Sequence, residues 1–410
     1  MLMRYFWVDE PRKYFVTEQN FLEQINNCIT IAKYIRSVNP FDMLVQLVVG
    51  MMHGKEMVLL DSDFTADEIV SLGIDDAELA TRIEIDGKLS VHSMRELTEQ
   101  IQLQRWKLWM FTSGTTGLPK KVCHTYETLA RNVRVSERYA KHIWAFAYRF
   151  SHMAGIQVLL QALMNANPMI YVFESAPVDV VSQMQKYCCT HISATPTFYR
   201  NVLPFLKNDL PDLTDLTMGG ERYDSDICKK INAVLPNVKL HNIYAATETG
   251  SILNSTGNDF IVPEKYKDMV KISVDNELLI HRSLLGQFPV DGEWYNTHDL
   301  VEEYEGKMHF LSRKSDLINV GGYKVNPLEV EEAISQVPGV LDCIVKGKPN
   351  SVLGNILIAE IVKVETFEER DVKQAILTEL KQKMQSFKIP RMFKFVEEIE
   401  HTRSGKKVRK

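Results

Sequence analysis

Short apolar runs alternate with amphipathic segments through the middle of the chain. Runs with the length and composition of strands lie at residues 170–173, 192–194, 213–218 and 238–244. Segments with helical spacing lie between them, at residues 180–187, 198–207 and 225–235. This alternation predicts a largely parallel sheet covered by helices on both faces. Ligands of such sheets gather at the carboxyl ends of the strands.

The pattern changes near residue 269. Alternating strands flank Asp275-Asn276 and again Glu305-Gly306, which predicts two hairpins in a small antiparallel β subdomain. A polar stretch at 312–316 is the expected domain boundary. Beyond it, Asn326 followed by Pro327 is a helix start, and a later helix carries Val372, Ile376, Leu380 and Met384 on one stripe.

The predicted fold class is therefore α/β. A large N-terminal domain over residues 1–313 combines parallel-sheet layers with the antiparallel β subdomain. A small, mobile α+β C-terminal domain follows over residues 314–410, with a hinge near 313–316.

Bulk properties exclude several classes of protein. A net charge of −5 argues against a dedicated nucleic-acid binder. Six cysteines without metal or disulfide spacing are typical of a reducing compartment, and the N-terminus lacks a signal-peptide core. The longest apolar run, residues 43–52, is too short to span a bilayer. We therefore expect a cytoplasmic protein with no nucleic-acid partner and no membrane span.

The stretch from Thr112 to Lys120 carries the clearest chemistry. Glycines let backbone N–H groups turn towards an anion, and hydroxyls and a lysine add donors and charge, which suits a triphosphate. A Walker loop instead places lysine directly after glycine and continues into a helix. Here Leu118-Pro119 intervenes and residues 121–124 have the pattern of a strand. The sequence predicts a phosphate loop of another kind than that of P-loop NTPases.

Complementary polar groups follow where later strands end. They are Gly219-Gly220-Glu221, Tyr244, Thr247-Glu248, Thr297-His298-Asp299 and, near the C-terminus, the segment from Thr402 to Lys406. Each alone is more often a turn, a cap or a solvated tail. In this order, however, they resemble the adenylate-forming (AMP-binding) superfamily: acyl- and aryl-CoA synthetases, adenylation domains of peptide synthetases, and firefly luciferase. The resemblance covers residues 108–408.

The resemblance implies a role for each matched residue. Thr112, Ser113, Gly114, Thr115, Thr116, Gly117 and Lys120 would cradle the phosphates of ATP. Glu248 would bind Mg²⁺, Thr247 the α-phosphate, Asp299 and Arg313 the ribose, and Gly219, Gly220, Glu221 and Tyr244 the base. His152 would stand between the carboxylate and the thiol tunnel, which Gly321 and Gly322 line. Lys406 would stabilise the adenylation transition state, and Ser315 would be the hinge.

The chain departs from the family pattern at several positions. His298 and Ala245 replace glycines, Ser315 replaces a charged hinge residue, and Glu400 replaces a proline. The phosphate loop also begins earlier than in typical members of the family, so we expect an abbreviated N-terminal subdomain. This leaves open how the acid pocket is walled and whether a homodimer completes it.

The resemblance implies an ATP-dependent acid–thiol ligase. An acyl-AMP would form with release of pyrophosphate, and the acyl group would pass to CoA. An alternative acceptor is the phosphopantetheine thiol of a separate acyl or aryl carrier protein. A luciferase-type oxygenase and a non-catalytic nucleotide binder are the competing classes. Residues 148–161 and 193–198 are mostly apolar apart from Arg149 and His152, which favours an aryl or medium acyl acid without identifying it.

Overall fold

A computed structural model describes residues 5–87, 89–112, 120–221, 223–350, 353–401 and 407–408. Contacts divide the chain into two compact units. The first consists of residues 1–271, 280–295 and 305–308, and the second of residues 272–279, 296–304 and 309–410.

The chain up to residue 129 alternates short strands with capped helices. Asn39 caps α2 by accepting a hydrogen bond from Phe41 N at 3.0 Å, and Thr65 and Glu68 form a capping box on α3. The strands are β1 (Tyr5–Asp9), β2 (Tyr14–Thr17), β3 (Thr30–Ala32), β4 (Tyr34–Ile35), β5 (Glu56–Leu59), β6 (Arg82–Glu84), β7 (Lys107–Thr112) and β8 (Lys120–His124). The helices are α1 (Glu18–Asn26), α2 (Pro40–Met52), α3 (Ala66–Ser71), α4 (Asp76–Leu79), α5 (Met94–Leu103) and α6 (Tyr126–Leu129).

The predicted strand–helix alternation follows. Its strands are β9 (Trp144–Phe146), β10 (Met169–Tyr171), β11 (His191–Ala194), β12 (Asp215–Gly219), β13 (Lys239–Ala246), β14 (Gly250–Ser255) and β15 (Asp259–Phe260). Its helices are α7 (Met153–Leu163), α8 (Pro177–Lys186), α9 (Pro196–Val202) and α10 (Ser225–Val234).

Two sheets organise the first unit. The larger has eight strands in the order β14-β13-β12-β11-β9-β10-β1-β2, and β1 and β9 to β13 run parallel within it. The smaller has the order β4-β5-β7-β8, with only β8 antiparallel. Successive residues of the large sheet face different cores: Trp7 and Phe146 pack in one apolar cluster, while Val8 and Ala145 pack in the other. The sheet is therefore buried on both faces, as near-continuous apolar runs predict.

The predicted hairpins form next. Strands β16 (Val270–Ile272), β17 (Glu277–His281), β18 (Trp294–Tyr304) and β19 (Lys307–Arg313) join β15 in a sheet of order β15-β19-β18-β17-β16. Asn276, Glu305 and Gly306 have positive φ in the turns, where glycine and asparagine are favoured.

The last part of the chain is a compact α+β element of the second unit. Asn326 caps its first helix by accepting from Leu328 N at 3.1 Å, as predicted. The core packs Val372, Ile376 and Leu380 against the sheet, with Met384 at its margin. The elements are β20 (Ile318–Val320), β21 (Tyr323–Val325), α11 (Pro327–Ser335), β22 (Val340–Asn350), β23 (Gly354–Lys363), α12 (Glu369–Lys383) and β24 (Met392–Phe395).

The predicted fold class is confirmed. The domain boundary near 313–316 stays a prediction. No helix within the described ranges has both the length and the apolar character needed to cross a membrane.

Candidate active site

The predicted phosphate loop connects two paired strands. β7 and β8 are antiparallel, and their register places Thr112 opposite Lys120. The hairpin therefore fixes both ends of the loop, and Lys120 is exposed there. The predicted phosphate-binding residues Ser113, Gly114, Thr115, Thr116 and Gly117 lie outside the described residues.

The predicted base-binding residues lie at the carboxyl ends of neighbouring strands. Gly219 pairs with Ile243 across β12 and β13, one residue before Tyr244. Gly220 has φ +80°, a backbone conformation that suits glycine. The Glu221 carboxylate Oε2 accepts hydrogen bonds from Thr197 N at 3.2 Å and from Thr197 Oγ1 at 2.9 Å. These contacts fix the strand end beside the first turn of α9.

Thr247 and Glu248 form the turn between β13 and β14. Gly286 N donates to the Glu248 carbonyl oxygen at 2.8 Å, and Tyr295 donates its hydroxyl proton to Glu248 Oε1 at 3.2 Å. The carboxylate is only partly buried. Both the backbone and the side chain of Glu248 are therefore held in place while the carboxylate stays accessible.

One more side chain supports this turn. His124 at the end of β8 has its Nε2 atom 2.7 Å from the Thr247 carbonyl oxygen. The ring is fully buried, and this burial lowers the pKa of His124 to about 4, so the imidazole is neutral near pH 7. β8 thus begins at the phosphate loop and ends on the Thr247-Glu248 turn.

The donor set around Glu248 fits Mg²⁺ bound together with a nucleotide. Mg²⁺ is commonly held by one or two carboxylates, with phosphate oxygens and water completing an octahedron. Nowhere in the described part of the chain do three or more His, Cys, Asp or Glu side chains form a metal-binding group. Glu248 is a partly buried carboxylate in a turn that contacts the β7–β8 hairpin through His124, and one such carboxylate is enough for a metal that is shared with bound phosphates.

His152 stands at the N-terminus of α7, beside a group of charged side chains. Its Nε2 atom lies 3.7 Å from Asp61 Oδ2, and Arg149 Nη1 lies 2.8 Å from Asp61 Oδ1. Arg149 also pairs with Asp63. Arg149 and His152, the charged or titratable residues of the predicted acid pocket, therefore lie beside carboxylates that follow β5.

The predicted ribose-binding residues belong to the second unit. Arg313 Nε donates to Asp299 Oδ1 at 2.8 Å, and Asp299 is only 6% exposed. Thr297 Oγ1 accepts from Asp299 N at 3.1 Å and donates to Leu278 O at 3.0 Å. The carboxylate is thus held on β18 by a charged partner on β19.

The predicted hinge and glycine segment also belong to the second unit. Ser315 is exposed in a short 3₁₀ turn over Lys314–Asp316. Gly321 and Gly322 have φ +58° and +90° and join β20 to β21 in a two-residue hairpin turn. The Gly321 N–H donates to Leu353 O at 2.7 Å.

Lys406, the predicted adenylation lysine, lies outside the described residues. The chain on either side of its segment is anchored. His401 and Lys407 form an antiparallel bridge, and Lys407 Nζ donates to Asp342 Oδ1 and to Cys343 O, both at 2.6 Å.

The structure thus brings the predicted residues together in two sets. In the first unit, Thr112 and Lys120 flank the loop of the β7–β8 hairpin, and the Gly219–Glu221 segment, Tyr244, Thr247 and Glu248 lie at the ends of the paired strands β12 and β13. Asp299, Arg313, Ser315, Gly321 and Gly322 lie in the second unit.

Three further side chains support predicted site residues: Asp61 contacts His152, His124 contacts Thr247, and Tyr295 contacts Glu248. Asp61 follows the buried strand β5, and a carboxylate directly after an apolar run is a sequence signal that could have marked it. Nothing in the local pattern marks His124 or Tyr295, because their partners are more than 40 residues away in sequence.

The fold and these strand-end groups define the class of adenylate-forming enzymes. The profile of the family described as "AMP-binding enzyme" matches residues 41–276, and that of "AMP-binding enzyme C-terminal domain" matches residues 329–406. The chain belongs to this family of AMP-binding enzymes.

Relatives of known name agree with that assignment. A 2-succinylbenzoate–CoA ligase of Listeria monocytogenes (serotype 4b, strain F2365) is 28% identical over 376 residues, which cover 83% of this chain and 76% of the relative. A 2-succinylbenzoate–CoA ligase of Staphylococcus aureus (strain bovine RF122 / ET3-1) is 25% identical over 388 residues, which cover 87% and 77%.

Solved structures share the fold. An anthranilate CoA ligase in complex with anthranoyl-AMP superimposes with a TM-score of 0.75 at 18% identity, covering 98% of this chain and 92% of the other. The o-succinylbenzoate CoA synthetase of Bacillus subtilis, in complex with ATP and magnesium ion, gives a TM-score of 0.71 at 18% identity, covering 99% and 96%. The predicted family and the predicted enzyme class, an AMP-forming acid–thiol ligase, are confirmed. The roles of individual residues stay predictions.

Proposed function

We propose that this chain activates an aryl or acyl carboxylic acid with ATP and Mg²⁺ and transfers the acyl group to CoA. The observation that carries this proposal is the Thr247-Glu248 turn, fixed beside the phosphate-loop hairpin through His124 and Gly286. An accessible carboxylate at that point suits a metal shared with the phosphates of ATP.

The first half-reaction joins two anions, so positioning and charge neutralisation supply most of the catalysis. A substrate carboxylate oxygen attacks the α-phosphorus of ATP, the bond to the β-phosphate oxygen breaks, and pyrophosphate leaves. We assign Lys120 and the loop before it to the β- and γ-phosphates, Thr247 to the α-phosphate and Glu248 to Mg²⁺. Lys406 neutralises charge at the attacking oxygen.

The remaining assignments concern recognition and the second half-reaction. Gly220, Glu221 and Tyr244 contact the base, and Asp299 with Arg313 binds the ribose hydroxyls. Ser315 is the hinge about which the C-terminal domain turns, so that Gly321 and Gly322 replace Lys406 at the site. A thiolate then attacks the acyl carbon, and AMP leaves with the bonding electron pair.

The lysine assignment has a direct test. Lys406→Ala should slow acid-dependent exchange of pyrophosphate into ATP by about a hundred- to a thousandfold, because a preorganised cation is lost from the transition state. Thioester formation from preformed acyl-AMP should stay within about threefold of wild type, since that step does not use the cation. Lys410→Ala is the control for charge at the C-terminus and should leave both rates unchanged. Wild-type exchange in Lys406→Ala would refute the assignment.

For the acid, we propose 2-succinylbenzoate or a close aryl relative. The support is the name of the relatives at 25–28% identity and the apolar character of residues 148–161. Pyrophosphate release should be measured with 2-succinylbenzoate, benzoate, anthranilate and octanoate at equal concentration. A clear preference for octanoate would overturn the aryl assignment, and release with none of the acids would count against the activity itself.

For the thiol, we propose free CoA. The alternative acceptor is the phosphopantetheine arm of a carrier protein, and both should be offered in parallel to the enzyme with its best acid. If a thioester forms on the carrier protein but not on CoA, the carrier protein is the acyl acceptor. A homodimer is a separate hypothesis, which light scattering coupled to gel filtration decides.

A further inference from the structure

A buried histidine outside the predicted site contacts the turn that carries the magnesium ligand. His124 is 0% exposed and ends β8. Its Nε2 atom lies 2.7 Å from the Thr247 carbonyl oxygen, and a carbonyl oxygen can only accept. The neutral ring therefore carries its proton on Nε2.

The other ring nitrogen fixes the orientation of the imidazole. Nδ1 of His124 lies 3.1 Å from Thr128 Oγ1, at the end of the short helix that follows β8. With Nε2 protonated, Nδ1 is an acceptor, and the Thr128 hydroxyl can donate its one proton either to Nδ1 or to Thr125 O, which lies at 3.0 Å. Thr128 thus contacts the ring nitrogen that faces away from Thr247.

The backbone of a glycine on another segment packs against the ring. A Cβ atom added to Gly286 would lie 2.6 Å from His124 Cε1, so the Gly286 backbone packs directly on the ring. Gly286 N in turn donates to the Glu248 carbonyl at 2.8 Å. The ring and the glycine packed against it therefore hold the carbonyls of two consecutive residues, Thr247 and Glu248.

The contact matters because His124 lies at the end of the strand that follows the phosphate loop. β8 begins at Lys120, the described end of the phosphate loop, and ends at His124. One five-residue strand therefore sets the distance between the loop that binds phosphates and the turn that binds the metal. An apolar side chain could fill the same volume, but it would supply no donor to the Thr247 carbonyl.

We propose that His124 is a positioning residue for magnesium binding: it holds the Thr247-Glu248 turn so that the Glu248 carboxylate meets the metal carried by ATP. This inference rests on the proposed function, since it assigns Glu248 to Mg²⁺. Supporting groups one step removed from a metal typically affect its affinity or the activity by about 10- to 100-fold.

The test compares variants by calorimetric titration with ATP, once with Mg²⁺ and once with EDTA. His124→Leu removes the donor, and His124→Gln restores an amide donor at the distance of Nε2 from the backbone. In His124→Leu we expect Mg·ATP affinity to fall about tenfold or more, while metal-free ATP binds as in wild type. His124→Gln should recover Mg·ATP affinity to within about threefold of wild type.

A control separates positioning from simple loss of packing. Leu129 is a buried residue of the short helix that follows β8, and its side chain has no hydrogen-bonding group, so Leu129→Ala should lower the melting temperature without changing the ratio of the two affinities. Thr128→Val leaves the volume of the site intact and releases the ring, and it should show a smaller loss of Mg·ATP affinity than His124→Leu. Thr128→Val also tests the positioning role if His124→Leu does not fold.

The outcomes are distinguishable. An unchanged ratio of affinities in His124→Leu and Thr128→Val, or an equal loss of both affinities, overturns the positioning role while leaving the ligase intact. A wild-type protein whose affinity for ATP does not depend on Mg²⁺ overturns both the inference and the proposed function.

Discussion

His298 lies in the left-handed region of backbone space, with φ +60°. The corresponding family residue is a glycine, which adopts this conformation without strain. Two contacts compensate here: His298 N donates to Asn296 Oδ1 at 2.8 Å, and His298 Nδ1 lies 3.1 Å from Glu277 Oε1. These two contacts therefore offset part of the backbone strain that the Cβ atom of His298 creates next to Asp299.

This strain can be measured with two substitutions at one position. His298→Ala and His298→Gly both lose the contact with Glu277, but only glycine relieves the backbone, so the glycine variant should be more stable by about 1 kcal/mol. Glu303 is the control, because it is an exposed residue of the same strand whose φ is not positive. At this position the alanine variant should be more stable than the glycine variant. Urea unfolding of the four variants decides it. If the alanine variant is the more stable one at both positions, the positive φ at residue 298 carries no strain.

At the scale of single elements, the sequence predicted most of the sheet but not the contacts between its elements. Strands β10 to β13 were located within a few residues because apolar runs buried on both faces leave a clear signal. The site motifs were recognised because each is continuous in sequence. His124 and Tyr295 were missed because each reaches its partner across at least 47 residues, and no local pattern encodes such a contact.

The first turn of α7 packs tightly against the segment that precedes it. A Cβ atom on Gly155 would overlap the carbonyl oxygen of Arg149, an approach that real Cβ atoms essentially never show. The first turn of α7 is therefore packed against the backbone of the segment that leads into it. His152, which precedes that turn, has its position fixed by this contact.

Gly155→Ala should accordingly displace the helix start and His152 with it. We expect a loss of about 1–3 kcal/mol in the free energy of unfolding, as for other overpacked positions, together with weaker acid-dependent pyrophosphate release. Gly257→Ala is the matched control, because a Cβ atom there meets nothing within 4 Å. Unfolding in urea and the release assay measure both effects. Equal behaviour of the two variants would mean that α7 adapts without cost.

At the scale of the whole molecule, the proposed reaction needs one segment to serve one half-reaction and then withdraw. The segment that carries Lys406 is bounded by the bridge between His401 and Lys407, and Lys407 is tied to Asp342. The Lys407 and Asp342 side chains are only 16% and 15% exposed. A pair shielded to this degree is screened less by salt than a surface pair, so it can hold the base of the segment to β22.

Lys407→Met keeps the length of the side chain and removes its charge, which leaves Asp342 without this partner. If the pair sets the base of the Lys406 segment, pyrophosphate exchange should fall by about tenfold or more, because a small misplacement of a catalytic group is costly. Thioester formation from preformed acyl-AMP should stay near the wild-type rate. Lys394→Met breaks a more exposed pair with Glu360 in the same unit and should leave both half-reactions unchanged. Equal loss of both half-reactions in Lys407→Met would instead assign the pair to general stability of the C-terminal element.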